Sequence, residues 1–204
     1  MDLKFLDLAR FRPAPVVAPL LFDGLPQVRA YWEALRKDGG LPQRAALDPR
    51  GLSGVLDRVF IAERIGRGVV QVRIAGSGLA DFAGLDLRGL PLCCLFAPEA
   101  RPLIAEALEE VCQTPSVVEL DLASDRGDGK VVARLLLLPL ADEQDRKLVL
   151  GALSFADGRA GRCKFRVMRR QSERAFPAPV PAPAETPPSA PAFGRLRLVH
   201  CRPE

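Results

Sequence analysis

Histidine is all but missing from this chain: its 204 residues contain one, His200. A serine or cysteine nucleophile needs a base beside it. Ser53 and Ser77 are separated from His200 by the proline-rich stretch 175–192, so hydrolase or transferase chemistry of that kind is not expected. The five cysteines include no Cys-x-x-Cys pair, which leaves a structural zinc site without ligands. Cys93 and Cys94 are adjacent, and Cys112, Cys163 and Cys201 stand apart, the pattern of small reduced thiols. Long apolar runs are missing too. The strongest, Leu135–Leu140, falls far short of the roughly 20 residues that span a bilayer. The opening MDLKFLDLARFRPAP holds Asp2 and Asp7 and lacks the apolar centre of a secretory signal. These absences predict a cytoplasmic protein without a membrane span.

Charge is unevenly spread. Residues 1–156 hold 19 Lys+Arg against 21 Asp+Glu, whereas residues 157–204 hold 10 against 4. The second stretch also contains 7 of the 19 prolines within 175–192, the composition of an extended linker. Beyond it Phe193–His200 alternates basic and apolar residues, which reads as a disordered terminus or as a peptide that docks as an added strand. The chain thus divides in three: an irregular arm over 1–25, broken by Pro13, Pro15 and Pro19; a folded domain over 26–156; and a basic, Pro-rich, disordered tail over 157–204. A basic tail suits acidic partners, nucleic acid or anionic lipid. Its arginines are dispersed and without interleaved aromatics, so solvation is the better reading and nucleic acid ranks low among partners.

Within the folded part, Leu25–Lys37 reads as a helix with Pro26 near its start and Gly39-Gly40 after its end. Val28, Tyr31, Trp32 and Leu35 form its apolar stripe, and the only Trp and the only Tyr lie on it. That stripe either packs on the adjacent sheet or makes a dimer contact. Asp48-Pro49 caps a short helix. Arg58–Ile65 and Val69–Ala75 read as strands joined at Gly66-Arg67-Gly68; in the second, Val70, Val72 and Ile74 alternate with polar residues. Gly76 and Gly78 mark a corner into a short helix, and Gly84 and Gly89 mark the next turns, each expected to permit backbone angles closed to other residues. Gly76-x-Gly78 is not a dinucleotide fingerprint, because Asp81 occupies the place of its third glycine. Pro98–Cys112 reads as a longer helix, apolar at Leu103, Ile104, Ala107, Leu108 and Val111, with Glu106, Glu109 and Glu110 facing out. Three strands come next, at Val118–Leu122, Val131–Leu140 and Lys147–Phe155. Glu109-Glu110 and Asp142-Glu143 are read as solvated surface, and no catalytic residue or metal ligand is expected. Arg73 and Arg134, at polar positions of apolar strands, have Glu63 or Glu119 as candidate partners.

The order of strand, strand, short helices, long helix and three-stranded meander is that of a PAS domain. Several residue groups carry a narrower likeness: Tyr31-Trp32-Glu33-x-Leu35-Arg36, Asp48-Pro49, Phe60-Ile61-x-Glu63-Arg64, Arg73-x-Ala75-Gly76, Leu136–Leu140 and Leu150-Gly151-Ala152. Over residues 27–156 the chain resembles the single-PAS-domain proteins of alphaproteobacteria. The resemblance implies an α+β PAS fold, a five-stranded antiparallel sheet with helices packed on one face, with an N-terminal flanking helix. It implies a non-catalytic sensory or adaptor role in signalling, through contact with a protein partner or with a second copy in a homodimer. The alternative is a sensor holding an apolar small molecule, with Phe60, Ile74, Phe82, Phe96 and Leu135 lining its cavity. A nucleic-acid-associated regulator using the tail ranks behind both. Haem-binding relatives use a histidine on the long helix and flavin photosensors an Asn-Cys-Arg motif. Residues 98–112 hold no histidine and Cys93-Cys94 is followed by Leu95-Phe96, so no cofactor is expected.

Overall fold

Two apolar strands organise the molecule. β4 (Val131–Leu140) and β5 (Leu148–Phe155) are nearly uninterrupted hydrophobic runs, and every residue of β5 is buried. A run of this kind has no wet face, so both sides of the sheet must be covered. In the computed structural model, which describes residues 22–156 and 162–176, both sides are.

Among the described residues the sheet has six strands in the order β2-β1-β5-β4-β3-β6, with the ladders between them antiparallel. β1 is Val59–Gly66, β2 Val69–Ala75, β3 Ser116–Ser124 and β6 Phe165–Arg174. The inner face is covered by α2 (Ser77–Ala83), a 3-10 turn at Leu92–Leu95 and α3 (Arg101–Gln113). The outer face is covered by Phe22, α1 (Leu25–Ala34) and a 3-10 turn at Pro49–Leu52. The expected arrangement of helices over one face with an N-terminal flanking helix is present, and of the two readings of that helix the structure has it packed on the other face of the sheet.

β6 is a correction: among the described residues the sheet has six strands where five were expected. It lies inside the stretch assigned to a disordered tail, yet pairs with β3 from Ser116↔Arg174 to Ser124↔Phe165. Its sequence, FRVMRRQSER, has almost no period-2 apolar signal because it is an edge strand whose later residues face water. Arg166, Arg169, Arg170 and Arg174, assigned from the sequence to tail charge, belong to this strand. Of the arm expected over 1–25, residues 1–21 lie outside the described residues, as do the proline-rich linker beyond 176 and the peptide Phe193–His200, while Phe22 is buried on the outer face and Leu25 opens α1.

The glycine corner works differently from the expectation at Gly76. Its φ of −65° is ordinary. A Cβ there would sit 2.1 Å from the Leu56 carbonyl oxygen, so close approach demands glycine, and at Gly78 the Asp57 carbonyl oxygen would lie at 3.0 Å. Gly84 and Gly89, with φ of 69° and 81°, do use the left-handed region. Gly84 ends α2 by donating its N–H to the Ala80 carbonyl at 2.7 Å.

Candidate functional site

The stripe of α1 turns inward. Val28 and Trp32 have no exposed surface, so they serve the chain's own outer-face core and offer nothing to a partner. The Trp32 Nε1–H donates to the Pro139 carbonyl at 2.8 Å. That carbonyl is free because the β3–β4 ladder stops at Val118↔Leu137, two residues earlier. Tyr31, half-buried, lies over Gly51, where a Cβ would meet its ring at 2.1 Å. Its hydroxyl accepts the Asp48 N–H at 2.7 Å and donates to the Asp48 carbonyl at 3.0 Å. The Asp48 carboxylate in turn accepts the Arg50 N–H at 2.9 Å, capping the 3-10 turn. The Tyr-Trp and Asp-Pro pairs are thus a lock that fastens the flanking helix to the sheet. Gly151 fits the same pattern, since the Phe60 ring lies where its Cβ would be.

The five residues expected to line one cavity do not share one. Phe82 stacks on Phe165 with centroids 5.0 Å apart and meets Phe155 at the same distance, while Phe96 lies 6.1 Å from Phe165. Leu135 is buried in the same inner core. Ile74 is on the opposite face. β1 and β2 pair as Ile61↔Ile74 and then Ala62↔Val72, so Arg73 is an extra residue in β2. A bulge of one residue sends the later side chains of its strand to the other side of the sheet. Val70 and Val72 stay inside at 1% exposure; Ile74 emerges outside at 47%.

Outside, Ile74 and Phe60 border a groove of about 410 Å³ between the β1–β2 hairpin and the 3-10 turns, walled also by Leu47, Leu56 and Ile61. The other large apolar side chains exposed on this hairpin are Ile65 and Val69.

Ion pairs hold the layers together. Arg73 reaches Glu63 at 2.8 Å, and Arg134 reaches Asp121 at 2.6 Å and Glu119 at 3.8 Å. Arg134 also lies 4.7 Å above the Phe22 ring. Glu109 and Glu110, expected from the sequence to be solvated, are anchors of α3. The Glu109 carboxylate accepts both Arg64 guanidinium arms, at 2.8 and 3.1 Å, and the Gly68 N–H at 2.8 Å. Glu110 accepts from Arg170 and Ser172 of β6. The β1–β2 hairpin, through Arg64 and Gly68, and the β6 edge strand are thus tied to one helix, and no i,i+4 pattern within α3 signals it. The Arg64 hydrogen bonds hold the Glu109 carboxyl below the usual carboxylate range. A depressed folded value means the tie is intact at neutral pH and is lost as pH falls through that value. We expect Glu109→Gln to lose about 1 kcal/mol at neutral pH, with the gap to wild type closing in acid; urea titrations at several pH values check this.

Among the described residues no group of three His, Cys, Asp or Glu is placed to hold a metal ion. Cys93, Cys94, Cys112 and Cys163 are free thiols, and burial pushes Cys112 up to about 11. No helix among the described residues is long and apolar enough to cross a membrane.

The antiparallel sheet thus carries short helices and α3 over its inner face and a flanking helix on its outer one. The family described as PAS domain matches residues 23–154, and the chain belongs to that family. No curated protein matches the chain.

Proposed function

We propose that this protein is a non-catalytic cytoplasmic adaptor that delivers its signal by contact, to a second copy of itself and through it to a signalling partner. The observation that carries this reading is the filled interior. Phe82, Phe96, Phe155 and Phe165 occupy the space between helices and sheet, where an internal ligand would otherwise sit. Change must then be read on a surface. The contact is the outward side of α1, where Ala30, Glu33 and Ala34 are exposed and Tyr31 and Leu35 are half-buried. Val28 and Trp32 act behind it, holding the helix rigid on the sheet.

Light scattering and sedimentation of the full chain test this. We expect dimers at micromolar concentration, reduced to monomers by Ala30→Arg and by Leu35→Glu without loss of the far-UV spectrum. A wild type that stays monomeric at high micromolar concentration overturns the self-pairing.

A further inference from the structure

We propose that the outer-face groove beside the β1–β2 hairpin is a binding site for a small amphipathic anion, its apolar chain along Ile61 and Ile74 and its charged end at Arg44. Three observations lead there, and none depends on the self-pairing described above.

The first is shape and size. The groove measures about 410 Å³, within the range of roughly 300–1,000 Å³ usual for small-molecule sites. A water molecule takes about 30 Å³ of liquid, so the space suits an occupant of about a dozen heavy atoms. The 3-10 turn Pro49–Leu52 walls one side and the hairpin the other, and Gly76 contributes bare backbone to the lining.

The second is the cost of leaving it empty. Ile74 is 47% exposed and Leu56 43%, and both are set in a concave wall with Leu47, Ile61 and Leu150. Apolar surface gathered in a hollow is covered better by a slender ligand than by water. The bulge at Arg73 creates this condition by turning Ile74 out of the core.

The third is charge. Arg44 and Asp48 are the two charged residues of the lining. The Asp48 carboxylate is engaged by the Arg50 N–H, and the Asp48 backbone is held by Tyr31. Arg44 is fixed at its backbone by donation to the Ala141 carbonyl at 2.9 Å, and among the described residues its guanidinium pairs with no carboxylate. Asp48 keeps its charge, but its Oδ1 is turned to the Arg50 N–H; Arg44 is the charged group of the lining without a carboxylate partner among the described residues, and a planar guanidinium favours a carboxylate or another oxyanion.

The test is calorimetric titration of the full chain, below micelle-forming concentrations, with dodecanoate, dodecanol and dodecyltrimethylammonium, supported by native mass spectrometry. We expect saturable one-to-one binding in the order carboxylate, alcohol, ammonium. Ile74→Glu and Leu56→Glu, both at exposed positions, should each weaken dodecanoate by about tenfold or more. Arg44→Gln should cut the preference of carboxylate over alcohol several-fold and leave the alcohol unchanged. Ile65→Glu, exposed on the same hairpin outside the groove, should have no effect. Running the series on Ala30→Arg as well separates ligand binding from self-association. Absence of saturable binding, equal affinity for all three head groups, or binding indifferent to both groove substitutions would each overturn the assignment, as would competition for the groove by a second copy of the chain in place of the ligand.

Discussion

Trp32→Ala should lower the stability of the protein by about 3–5 kcal/mol, the usual cost of emptying a fully buried aromatic site. The side chain has no exposed surface and packs among Val28, Leu52 and the outer faces of β4 and β5. The substitution also orphans the Pro139 carbonyl, which has no ladder partner to replace the indole N–H. Trp32→Phe separates the two effects: it keeps most of the ring and loses the hydrogen bond, for an expected cost of about 1–2 kcal/mol. Urea unfolding followed by far-UV circular dichroism measures both, since the only tryptophan is the residue removed. A loss below about 1 kcal/mol for Trp32→Ala would mean that α1 does not rest on the sheet as described.

Phe165→Ala is the second large effect, also about 3–5 kcal/mol. Phe165 is fully buried and touches Phe82, Phe96 and Phe155, so it completes the inner core from a strand that lies beyond the family match. The Ala97 N–H donates to its carbonyl at 2.9 Å, and the Arg170 and Ser172 bonds to Glu110 pin the rest of β6 on α3. A chain ending at residue 156 should accordingly unfold at a markedly lower temperature than the full chain. Equal melting temperatures would show that β6 is dispensable.

Among the described residues, five of the six strands and the three α-helices are visible in the sequence, because each has a local signature. Alternation marks β2 and β3, continuous apolar runs mark β4 and β5, and prolines near the first turn open α1 and α3. β6 has no such signature. One buried phenylalanine and a half-buried valine sit among arginines, and what makes it a strand is the free edge of β3 and the acidic side of α3. The same limit governs the candidate site. Val28 and Trp32 look alike as core or as contact until the opposite surface is known, and the unbroken run of β5 is the one hint that it is their own sheet.

The residue pattern by itself determined the class of the molecule: strand order, the helix between the two halves of the sheet, and the glycine corner that joins strand to helix on a PAS-type path. These are matters of local propensity and of period, which neighbours in sequence decide. Tertiary structure alone decided which face each side chain serves. One extra residue at Arg73 reverses the facing of Ile74 without altering its alternation, so the groove exists only once β1 and β2 are paired. Register is a relation between two strands, and no single stretch of sequence contains it.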